Sequence, residues 1–161
     1  MSPEPAEHLR YARYLNELAQ TSAQTELATM GVVLEDPDTV MAESAIVHHI
    51  DRRAARLLTD EAFPDWAARV AEVIAGRAFA ARRLREWTLL RAVSTGQAWT
   101  AEEILDASDW FQRRAAEIVS CPPIRALLAD RGRTRRVRAA AGRRIQRRSV
   151  GEENLTQARY R

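Results

Sequence analysis

The sequence predicts an all-α protein. Apolar residues recur at three- and four-residue spacing along most of the chain, no stretch alternates with period two, and no Asn-Gly or Asp-Gly turn separates apolar runs. Long helical stretches joined by short breaks predict an antiparallel bundle of about four long helices, with a short helix and an Arg-rich C-terminal helical arm. The expected division is a bundle over residues 1–123, an arm over 124–148 packed on or extending from it, and a flexible tail over 149–161. The 161 residues, 46% hydrophobic and 29% charged, are enough for a real core. No apolar run approaches the ~20 residues a spanning helix needs, so no membrane role is expected.

The first helix is expected to start after Pro5 and run into the low twenties, with Tyr11, Leu15, Leu18 and Ser22 on one stripe. Gly31 and the acidic run Glu35–Asp38 break the pattern. Asp36 as N-cap with Pro37 at the first helical position then opens a helix to about Leu58, whose inward face collects Val40, Val47, Ile50, Ala54, Leu57 and Leu58. A third helix is expected from near Asp65 to Ser94, ended by Gly96 and apolar on more than one side. Thr100 and Glu103 form a capping box. The stripe behind them passes through Ser108 with no phase slip and no glycine, predicting one continuous helix to Val119. A split at Ser108 would give a helix-turn-helix with Gln112, Arg113 and Arg114 reading bases; the spacing argues against it. A short helix, Ile124 to Ala129, precedes the basic segment. The four tryptophans, Trp66, Trp87, Trp99 and Trp110, are expected as core or core-edge anchors.

Charge is divided unevenly. Residues 1–75 carry a net of −7 and residues 76–161 a net of +10. The chain has no Lys. A GC-rich genome explains Arg standing in for Lys, but not why Arg collects in one half. Residues 125–148 hold ten Arg and one acid, Asp130. On a helix, Arg133, Arg136, Arg143, Arg144, Arg147 and Arg148 gather on one side, beside a narrow apolar edge of Val137, Ala141 and Ile145. Guanidinium groups in this density suit polyphosphate, through bidentate contacts and counterion release. The expected partner is therefore nucleic acid, DNA or RNA, bound largely independently of sequence through Arg133, Arg135, Arg136, Arg138, Arg143, Arg144, Arg147 and Arg148. Removing residues 131–161 is expected to abolish binding and leave the bundle folded. The competing reading is a protein-interaction or assembly module, in which the acidic and basic halves dock between copies as a homo-oligomer or grip an acidic protein partner.

Other candidates are weaker. Glu43 and Arg77 each fall within an apolar stripe and are expected to pair with each other. His48 and His49 lie ~100° apart on a helix and are expected to be solvated rather than metal ligands. His8 is expected to be packed. Cys121 is placed at a helix C-terminus as a half-buried structural thiol; a lone thiol and an N-terminus without an apolar export segment point to cytoplasm. No glycine-rich phosphate loop, serine elbow or carboxylate pair is present. No cofactor, metal or catalytic residue is expected, and the chain is read as a non-enzymatic accessory protein.

Overall fold

A computed structural model of the chain describes the backbone of residues 6–158 and the side chains of residues 6–147. Among the described residues there are nine helices and no strand, so the all-α expectation holds. The helices are shorter and more numerous than expected: α1 Ala6–Ala19, α2 Glu26–Leu34, α3 Thr39–Leu57, α4 Phe63–Val73, α5 Ala78–Ser94, α6 Ala101–Asp106, α7 Asp109–Ile118, α8 Pro122–Arg131 and α9 Arg135–Ala158. No helix among the described residues is long and apolar enough to cross a membrane. The chain divides into two units, Met1–Thr88 and Leu89–Arg161, with α5 running across the division.

In the first unit, α1 and α2 both pack on α3, and α4 packs on α2. The core is formed by Leu18, Met30, Val33, Ala42, Ile46, Ile50, Phe63, Trp66 and Val70, each almost fully buried. Helix α2 fills a stretch expected to be irregular, and Gly31 lies inside it rather than ending it. The N-cap of α3 is Asp38, whose side chain accepts from the Met41 amide at 3.0 Å. Asp36, expected in that role, instead accepts from the Tyr14 hydroxyl at 2.7 Å and the Asp38 amide at 2.8 Å, with Arg10 Nε at 3.3 Å. The Tyr14 hydrogen bond is the leading cause holding the Asp36 carboxyl below its ordinary range, and the same bond raises the Tyr14 phenol. Val40, expected inward, is the second residue of α3 and is 76% exposed.

The expected helix from Asp65 to Ser94 is two helices, separated at Gly76, which adopts φ +79°. Gly96, with φ +74°, ends α5 as expected, and the Gln97 amide reaches back to Ala92 O at 2.8 Å.

Buried polar groups tie the first unit together. Glu26 Oε1 accepts from His49 Nε2 at 2.7 Å and Trp66 Nε1 at 3.1 Å, with Arg53 Nε at 3.5 Å. Burial alone would raise this carboxyl; the donated hydrogen bonds and the nearby charges outweigh it and hold it below its ordinary range. His49 is thus buried, not solvated, while His48 is exposed as expected. His8 is exposed rather than packed, since it lies on the solvent side of α1. Asp51 accepts from Arg83 and from Trp87 Nε1, the latter at 2.8 Å. Glu43 and Arg77 do not pair. Glu43 accepts from the Ala80 amide in the first turn of α5 at 2.9 Å, and Arg77 donates to Leu34 O at the end of α2 at 2.7 Å. Each part-buried charge instead satisfies a backbone group at a helix end.

Candidate nucleic-acid interface

The second unit is built where the sequence misleads most. The expected continuous helix from Thr100 to Val119 is broken: α6 ends at Asp106 and α7 starts at Asp109. The Thr100 capping box is present, with both reciprocal bonds. Ser108 caps α7 by accepting from the Phe111 amide at 3.2 Å. The interruption is only Ala107 and Ser108, too short to disturb the spacing of apolar residues on either side.

Gln112 fixes this junction and is fully buried. Its amide nitrogen donates to Ile104 O at 3.1 Å and Leu105 O at 3.0 Å, and its carbonyl oxygen accepts from the Arg133 amide at 2.8 Å. One side chain on α7 therefore joins the end of α6 to the turn between α8 and α9. The turn itself requires glycine. A Cβ on Gly132 would lie 2.4 Å from Leu128 O and 2.8 Å from Val137 Cγ1. Thr134 then opens α9, accepting from the Val137 amide at 3.1 Å. Helix α9 packs on α7 and α8 through Val137 and Ala141, both fully buried. Ile145, expected on the same apolar edge, is 38% exposed.

The arginines of the basic segment have two fates. Arg133 donates to Leu105 O, Asp106 O and Ala107 O at the end of α6, with Asp109 3.6 Å from its Nε. Arg138 donates to Gly132 O at 2.7 Å, closing α8. Arg144 donates to Ala116 O and Glu117 O in the last turn of α7. Outside the expected set, buried Arg125 does the same for Val119 O at 2.9 Å. These guanidinium groups sit on helix C-terminal carbonyls, where the backbone dipoles favour positive charge. Arg133, Arg138 and Arg144, all in the expected site, are therefore engaged by the fold through these carbonyls.

Arg135, Arg136, Arg143 and Arg147 are exposed and make no hydrogen bond or ion pair to protein among the described residues. The side chain of Arg148, also expected in the site, lies outside the described residues, as do the side chains of the expected tail. Arg136, Ala140, Arg143 and Arg147 follow one stripe of α9, and Trp110, Arg113, Arg114 and Glu117 follow one stripe of α7. The two stripes face each other across a cleft of about 350 Å³, lined by Trp110, Arg113, Arg114, Glu117, Arg136 and Arg143. A second cleft of about 720 Å³ adjoins it, sharing Glu117 and Arg143 and adding Arg147. Along α9, Arg136 to Arg143 spans ~10 Å and Arg143 to Arg147 ~6 Å at 1.5 Å per residue. Glu117 is the one acid on these walls; Arg114, 3.7 Å away, balances it. The α7 wall, with Trp110 and Arg113, is missed by a reading that follows arginine density alone. Its signal in the sequence was the i, i+3 spacing of an aromatic and a cation on a helix beside the basic segment.

Cys121 is the N-cap residue of α8, not the end of a helix, and is partly buried with no side-chain capping bond. No group of three or more His, Cys, Asp or Glu among the described residues is placed to hold a metal ion. Comparison with protein-family models, with curated proteins and with solved structures finds no match to this chain.

Proposed function

We propose that the protein is an accessory factor that binds nucleic acid by its phosphates, in the arginine-lined cleft between α7 and α9. The observation that carries this reading is the pair of facing stripes, in which exposed Arg113, Arg136 and Arg143 line one cleft and make no hydrogen bond or ion pair among the described residues. A polyanion offers repeated acceptors at several-ångström intervals, which a row of separate guanidinium groups can neutralise together. Trp110 adds an aromatic wall against which a base can stack. Binding of this kind is largely independent of sequence, because phosphates carry the affinity.

Fluorescence anisotropy with labelled single-stranded DNA, duplex DNA and single-stranded RNA, over a range of salt, tests the proposal. Log K is expected to fall linearly with log salt, by about 0.9 for each phosphate neutralised on a duplex. The triple variant R136Q/R143Q/R147Q is expected to weaken binding and flatten that slope. Intact binding with an unchanged slope in the triple variant would refute it. Point variants are the appropriate tool, since deleting residues 131–161 also removes Val137 and Ala141 from the core and the Arg133 amide from Gln112.

The net charges of −7 and +10 in the two halves of the sequence favour a second reading, in which the cleft grips an acidic protein surface, including that of another copy. Size-exclusion chromatography at low and high salt without nucleic acid separates the two readings. Salt-sensitive self-association supports assembly, and a monomer that carries nucleic acid through purification supports the first.

A further inference from the structure

The first unit places an unexpected concentration of positive charge at a small cavity. Residues 1–75 contain six Arg against thirteen acids, yet three of the six, Arg52, Arg53 and Arg56, line one cavity of about 80 Å³ at the C-terminal half of α3. Ser22, from the segment between α1 and α2, and the buried pair His49 and Glu26 also line it. Arg52 and Arg56 are exposed and make no hydrogen bond or ion pair to protein among the described residues. Four residues apart on one helix, they repel each other when nothing lies between them. Arg53 faces Glu26 Oε1 at 3.5 Å, and that same oxygen already accepts from His49 and Trp66. The single carboxylate at the cavity is thus spread over three donors and does not balance three guanidinium groups. Asp51, the nearest other acid on α3, is taken by Arg83 and Trp87.

We infer that this cavity binds one phosphate-type oxyanion, either free phosphate or the terminal group of a phosphate monoester. At about 80 Å³ the cavity has room for a small tetrahedral oxyanion beside the three guanidinium groups. Three forks on separate residues suit an acceptor whose oxygens point in several directions, whereas a planar carboxylate is satisfied by one fork. The bound ion would lie between Arg52 and Arg56 and replace their repulsion with charge-assisted hydrogen bonds, with Arg53 held in place by Glu26.

Nuclear magnetic resonance on the full chain at low ionic strength reads this site directly, because the Trp66 indole N–H and the His49 ring both bond to Glu26 beside the cavity. Titration with inorganic phosphate is expected to shift both signals to saturation. The shift should persist in R136Q/R143Q, which separates this site from the cleft of the second unit. In R52Q/R56Q, whose substituted side chains are exposed, the affinity should fall by about tenfold or more. Parallel titrations with methyl phosphate distinguish the sources: tighter binding of the ester assigns an esterified group, and tighter binding of inorganic phosphate assigns the free ion. Absence of a saturating shift, an unchanged affinity in R52Q/R56Q, or an equal response to acetate would overturn the inference.

Discussion

The two units solve the same problem with opposite charges. In the first, buried or part-buried carboxylates gather donors: Asp36 takes the Tyr14 hydroxyl, Glu26 takes His49 and Trp66, Asp51 takes Arg83 and Trp87, and Glu43 takes the Ala80 amide. In the second, guanidinium and amide groups gather acceptors: Arg125, Arg133, Arg138, Arg144 and Gln112 all donate to carbonyls at or near the ends of helices. The first unit leans on acids as internal acceptors, although Arg77 closes α2 there, and the second uses several arginines to close its helices. The lesson for reading charge is that density alone does not measure binding capacity. Of the seven expected site arginines whose side chains are described, three donate to backbone carbonyls of the fold and four make no hydrogen bond or ion pair among the described residues.

The sharpest way to break this comparison is to remove one hub from each unit. Glu26→Ala strands the His49, Trp66 and Arg53 donors and opens a cavity, and is expected to cost about 3–5 kcal/mol by denaturant unfolding. Gln112→Ala leaves the Ile104 and Leu105 carbonyls and the Arg133 amide unpaired, at an expected cost of about 2–4 kcal/mol. Gly132→Ala keeps an ordinary φ of −53° but forces the Leu128 carbonyl and Val137 apart, and should cost about 1–3 kcal/mol. By contrast, Arg136→Gln and Arg143→Gln remove no hydrogen bond or ion pair among the described residues and should leave stability within about 0.5 kcal/mol while weakening the proposed nucleic-acid binding.

Acidity and alkalinity sharpen the contrast further. Asp36 and Glu26 have depressed carboxyl values, so the stability they contribute is complete above the ordinary carboxylate range of about 4 and is lost as pH falls through their lowered values. Tyr14 has a raised phenol, so its contribution is complete below about 10 and disappears as pH climbs through the raised value. The first unit should therefore lose stability at both extremes. Thermal unfolding followed across pH in Tyr14→Phe should show both limbs diminished, and an unchanged profile would count against the Tyr14–Asp36 bond as their source.

Local signals in the sequence were read well where they acted locally. The Thr100 capping box, the Gly96 terminus and the spans of α1 and most of α3 were legible because each depends on residues within one turn. Helix α2 was hidden by Gly31, which the fold tolerates inside the helix; a Cβ there would meet nothing within 4 Å. The break at Ser108 was hidden because two helices joined by two residues can keep a single apolar phase. The Ser108-Asp109 pair, a cap followed by an acid in the first turn, was the signal to the contrary. The arginine stripe of α9 was legible from spacing. Which of its members would turn inward was not, because the carbonyls that hold Arg133 and Arg144 lie 26 to 28 residues away in sequence.

Gln112 has one more consequence, for motion. A single buried side chain bonds both the end of α6 and the turn ahead of α9: opening the first breaks its two bonds to Ile104 O and Leu105 O, and opening the second breaks its bond from the Arg133 amide. The Arg133 amide sits in a turn, where exchange with solvent is ordinarily fast, yet it should be as slow as the interior of α7. The turn ahead of α9 would then behave kinetically as part of the core, held by a side chain buried within α7.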